Sequence, residues 1–158
     1  MCVLSKAEGS AGSRRALTGS EREVLRRIDP GTRALVIASV MLVLVLCSLL
    51  PWVRGAAGWE VLMGQADPAL KIGLLPRLFA INSTIVGIGL SALALITRRW
   101  IFAFLAGLAG VVVTFEGVIA IWSRQTSGAE GPSIGLLLAV ACMAVLAVQW
   151  MRIVWSRS

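Results

Sequence analysis

The chain has 158 residues, of which 58% are hydrophobic and 15% charged, with a formal net charge of +7 and a mean hydropathy of +0.86. Soluble domains carry nearer a quarter charged residues, so one water-facing domain cannot hide this apolar excess, and lipid is the expected solvent. The basic balance alone would suit nucleic acid. Here, however, the arginines cluster at the ends of apolar runs, which points to orientation in a membrane and to no nucleic-acid partner.

Residues 1–33 are polar, rich in Ser, Gly and Arg, and read as a basic, largely disordered cytoplasmic tail. Within it Ser20 and Glu23 have capping-box spacing, ahead of a short candidate helix at 20–29 that Pro30 and Gly31 end. That helix is either a solvated juxtamembrane segment or an interfacial helix on anionic lipid.

Residues 34–157 read as one four-span domain. The spans are expected at about 34–52, 78–97, 100–123 and 133–154. The third is the clearest, with about 23 apolar residues against a hydrocarbon core of roughly 30 Å, interrupted by Glu116. The segment 53–76 between the first two spans is only weakly polar, and is expected to lie along the membrane surface. Trp52, Trp59, Trp100, Trp122, Trp150 and Trp155 fall near span ends, where indoles favour the headgroup level.

Orientation follows from the basic residues. Seven precede the first span, and Arg98, Arg99, Arg152 and Arg157 share their side; Arg54, Lys71, Arg77 and Arg124 lie on the other. The positive-inside rule puts both termini in the cytoplasm. The fold class is therefore an all-α, integral membrane four-helix bundle.

Small residues recur at steps of four and three in two adjacent spans. They are Ala80, Thr84, Gly87, Ser91 and Ala94 in the second, and Ala103, Gly107, Gly110, Thr114 and Gly117 in the third. Small residues let helices approach closely in lipid, so the two stripes are predicted to face each other. On an ideal helix Glu116 and Asn82 then point away from that seam and do not pair. Glu116 would face span one or four, near Ser48, or another protein. Glu116, Ser48 and Asn82 are the intramembrane polar candidates. A carboxylate at this depth reads as a structural clip, a subunit contact or a proton or ion site.

Catalytic constellations are absent from the sequence. There is no histidine, no paired carboxylate set and no phosphate loop. Cys2, Cys47 and Cys142 have no metal-ligand spacing. No catalytic residue, metal or cofactor is expected, and the chain is read as not an enzyme.

The motifs LLPW at 49–52, GWEVL at 58–62, LPRLF at 75–79, TRRW at 97–100, IWSRQT at 121–126 and GPSIGLLLA at 131–139 resemble those of small four-helix membrane proteins of mycobacteria and related actinobacteria. That group has no assigned activity. The resemblance implies a multi-pass plasma-membrane protein and carries over no functional residue. The expected role is an accessory or assembly subunit in the lipid bilayer, bound to another membrane protein or to itself. The alternative is a small proton-linked transporter or channel subunit using Glu116.

Overall fold

The computed structural model describes residues 31–128 and 131–156; the candidate helix at 20–29 lies outside them. The fold is all-α apart from one small hairpin. Its long helices are α1 (Thr32–Cys47), α3 (Leu74–Thr97), α4 (Trp100–Thr126) and α5 (Ile134–Trp155), with a short α2 (Gly58–Met63) after the hairpin strands β1 (Pro51–Val53) and β2 (Ala56–Ala57). α3, α4 and α5 are long and apolar enough to cross a membrane by length and composition.

Proline placement explains several boundaries. α4 and α5 contain none, and in α3 Pro76 stands in the first turn, where its missing N–H removes no helical bond. α1 stops at Cys47, short of the expected 52. Its last turns tighten into three-residue hydrogen bonds, Ser48 N–H to Val45 O, Leu49 N–H to Leu46 O and Leu50 N–H to Cys47 O. Pro51 then has no N–H to continue the ladder. Sixteen residues rise about 24 Å, less than a hydrocarbon core of about 30 Å.

α1 packs on α3 and α5, and α4 packs on α3 and α5 from the other side. The bundle is thus a ring in which α3 and α5 also touch through the centre. There Trp150 Nε1 donates to Ser91 Oγ at 3.0 Å. Gly87 leaves room for Leu44 and Met143; a Cβ on it would lie 2.6 and 2.7 Å from their side chains.

The middle of α3, Ser83–Leu90, is a π-helix. Such wide turns are rare and often accompany functional sites. They also rotate everything beyond them relative to an ideal helix. This alters the predicted seam. Gly107 meets Met151 and Trp150, and Gly110 meets Ala147, all on α5, while Gly117 sits between Val140 of α5 and Phe79 of α3. The α4 stripe therefore serves mainly the α4–α5 contact.

The segment between α1 and α3 folds over one end of the bundle as a cap. β1 and β2 are antiparallel, with Gly55 at φ 89° in their turn, a region that favours glycine. Ala57 N–H donates to Glu60 Oε2 at 2.8 Å, and Ser133 N–H donates to Trp52 O at 2.9 Å, tying the cap to α5. Trp52 is buried; its Nε1 donates to Cys47 O at 2.8 Å and its ring lies 5.6 Å from that of Phe79. Replacing Trp52 with Phe leaves the Cys47 carbonyl without this buried donor, and should lower stability by about 1–3 kcal/mol. A thermal midpoint unchanged from wild type would contradict that role.

Candidate functional site

Three features could serve function: a polar pair on the bundle's flank, a basic end and a small cavity. The pair is Asn82 and Glu116. Asn82 Nδ2 donates to Glu116 Oε2 at 2.8 Å, joining α3 to α4. This differs from the reading that the two point apart. Asn82 is the last residue before the π stretch, so the ideal turn of about 100° per residue, applied along the whole α3 stripe, misplaces it relative to that stripe. Both residues are half-buried, facing partly outward. Ser48 is not with them; its Oγ donates to Val45 O at 2.6 Å within its own chain end.

The antiparallel order brings the start of α1, the end of α3, the start of α4 and the end of α5 to one end. Arg33 Nη1 donates to Arg152 O at 3.3 Å there, and Arg98 and Arg99 form the tight α3–α4 turn, all four arginines being exposed. Arg98 holds φ 50° and its N–H donates to Ala94 O, closing α3.

The opposite end holds a residue that sequence reasoning missed. Arg124 is 3% exposed, and its Nη1 donates to Lys71 O at 3.2 Å, holding the cap against α4. In the sequence it counted only among the basic residues that set orientation. The folded cap, which buries it, left no periodic signal.

The tryptophans also divide. Trp59, Trp122 and Trp155 are exposed and Trp100 stacks on Phe104 at 5.3 Å, whereas Trp52 and Trp150 are core residues. Cys47 of α1 and Cys142 of α5 are both buried. Among the described residues no group of three His, Cys, Asp or Glu side chains could hold a metal.

A cavity of about 110 Å³ opens between α1, the cap and α3, lined by Leu44, Ser48, Trp52, Trp59, Thr84 and Ile88 among others. It is smaller than the roughly 300–1,000 Å³ of ordinary small-molecule sites. Ser48 and Thr84 already bond to their own helix carbonyls. The cavity therefore offers a ligand an apolar wall and little directional chemistry.

A family model described as "MiaB C-terminal domain" matches residues 14–158. Over 148 residues the chain is 40% identical to the tRNA-2-methylthio-N(6)-dimethylallyladenosine synthase of Mycobacterium avium (strain 104), an alignment covering 92% of this chain and 21% of that protein. The chain thus spans about a fifth of the curated relative's length. No solved structure matches.

These matches correct several expectations. The resemblance to membrane proteins without assigned activity gives way to a family named for a tRNA-modification protein. The relative is a synthase acting on tRNA. That overturns the non-catalytic accessory subunit, the proton-linked transporter or channel subunit using Glu116, the partner set without nucleic acid and the multi-pass plasma-membrane assignment. Hydropathy, basic-residue placement, the lone Glu116 and missing catalytic groups, on which those expectations rest, carry no signal of a family relationship. The chain belongs to the MiaB C-terminal domain family.

Proposed function

We propose that this chain acts in tRNA modification, as the C-terminal domain of an enzyme forming 2-methylthio-N6-dimethylallyladenosine in tRNA. The observation that carries this is the 40% identity over 92% of the chain to a synthase of that name. The direct test is the tRNA itself. A strain from which the coding region for this chain is removed should lose the 2-methylthio nucleoside and accumulate its N6-dimethylallyl precursor. Re-expression should restore it. Unchanged nucleoside levels in the deleted strain would sink the reading.

The domain's contribution to such an enzyme is architectural in this proposal: an all-α bundle that presents an apolar outer surface. Its support is the surface. Thirty large apolar side chains stand exposed among the described residues, along every long helix. Monomers in water rarely expose apolar patches beyond a few hundred Å², and larger ones mark sites of association.

A further inference from the structure

We infer that the arginine end of the bundle, formed by Arg33, Arg98, Arg99 and Arg152, is a docking surface for the phosphate backbone of tRNA. The inference rests on the tRNA-modification reading above and adds to it the part of this chain that meets the nucleic acid. Arg33 lies in the first turn of α1, Arg98 and Arg99 join α3 to α4, and Arg152 lies in the last turn of α5; all four are exposed. The hydrogen bond from Arg33 Nη1 to Arg152 O holds the start of α1 against the end of α5. Residues far apart in sequence thus present their charge together.

The charge in these segments has one sign. Among the described residues the carboxylates are Glu60 and Asp67, in the cap at the opposite end, and Glu116, bonded to Asn82 on the flank. A concentration of one sign attracts a polyanion and speeds its encounter. All four groups are guanidinium forks, which match phosphate oxygens two at a time, where an ammonium offers a point charge.

Two of these arginines stand where helix ends favour other residues. Arg98 closes α3 at φ 50°, a left-handed position that glycine or asparagine occupies at least cost. Arg99 is the N-cap of α4, and its side chain makes no capping bond. Serine, threonine, aspartate or asparagine would satisfy an N–H there, and a cation faces the positive end of the helix dipole. Arginine at both positions disfavours the fold locally, and such departures concentrate where function outweighs local stability. tRNA is the phosphate polymer that the proposed reaction brings to this chain. Anionic lipid headgroups carry the same phosphate chemistry and form the second arm of the test.

The test is binding of the full chain, held in a neutral detergent, to a fluorescently labelled tRNA transcript, followed by anisotropy as salt is raised. Arg99→Gln with Arg152→Gln removes two charges from the arginine end. Arg54→Gln with Arg77→Gln removes two from exposed positions at the cap end and is the charge-matched control. Thermal midpoints establish that each variant is folded. Each lost phosphate contact lowers affinity about fivefold at roughly 0.1 M salt, so the first pair should bind about 25-fold more weakly, with the slope of log affinity against log salt shallower by about 1.5. Arg152→Gln alone, on a regular helical turn, should give one such step, and the control pair should change affinity much less. Arg99→Lys with Arg152→Lys, which keeps the charge, should retain the salt slope. Wild type that does not bind tRNA, an equal loss for the control pair, or sensitivity to the arginine pair seen with phosphatidylglycerol vesicles and not with tRNA overturns the docking surface. The deletion strain tests the enzyme role separately. Loss of the 2-methylthio nucleoside on deletion, without arginine-dependent tRNA binding, overturns the surface alone. Unchanged nucleoside with arginine-dependent binding overturns the enzyme role and supports the surface.

Discussion

Gly117→Val should destabilise the bundle by roughly 3 kcal/mol, near the upper end of ordinary overpacking effects. A Cβ at this position would lie 2.6 Å from Val140 Cγ2, 2.7 Å from Phe79 Cε2 and 3.0 Å from Phe79 Cδ2. Those neighbours belong to α5 and α3, so α4 is pinched between two helices and has no free side toward which to move. Phe79 is fully buried and its ring lies against Trp52, so displacing it would disturb the cap as well. Glycine in a helix interior is itself worth about 1 kcal/mol less than alanine; close approach of three helices is what offsets that at this site. The measurement is the thermal unfolding midpoint of the full chain, with Val118→Ala beside it. Val118 is 50% exposed, and a surface change there should stay within about 0.5 kcal/mol. If Gly117→Val shifts the midpoint no more than Val118→Ala does, the three-helix contact is not a stability determinant.

The same glycine shows how far the sequence could be read. Spacing alone marks Ala103, Gly107, Gly110 and Gly117 as a contact face, and Gly107, Gly110 and Gly117 do accept close neighbours. Spacing says nothing about which helix supplies those neighbours, and the short Arg98-Arg99 turn suggested α3. The structure assigns most of them to α5, because Trp150, Ala147 and Val140 bring complementary bulk to that side. Asn82 and Glu116 were legible as polar residues at matching depth. Their pairing was hidden by the π-helical turns of Ser83–Leu90, which no apolar periodicity announces. The cap was hidden for a different reason. Its hairpin is short, and its order comes from long-range bonds such as Ser133 N–H to Trp52 O and Arg124 Nη1 to Lys71 O. Function was the least legible part. The motifs of an apolar helical domain describe packing, whereas the family relationship lies in the alignment over 148 residues.

Trp150→Ala should cost about 3–5 kcal/mol, the range for emptying a large buried aromatic site. Trp150 is 2% exposed on α5, and a Cβ on Gly107 of α4 would meet its Cβ at 3.4 Å. Its indole reaches across the bundle to Ser91 of α3, whose Oγ donates in turn to Val86 O at 3.3 Å inside the π stretch. One side chain thus fills the space among three helices and supplies a hydrogen bond to the segment where α3 departs from regular winding. The two contributions can be separated. Trp150→Phe keeps most of the volume and loses the indole N–H, leaving the Ser91 hydroxyl without its donor, a change of about 1 kcal/mol from the hydrogen bond itself. Thermal midpoints should therefore fall slightly for Phe and steeply for Ala. Trp122→Ala, at a tryptophan 65% exposed on α4, should fall least. If Phe proves as damaging as Ala, the bond to Ser91 outweighs the packing. If Ala is no worse than Trp122→Ala, the centre of the bundle is held elsewhere, and the close contact of Gly87 with Leu44 and Met143 becomes the place where α3 is fixed.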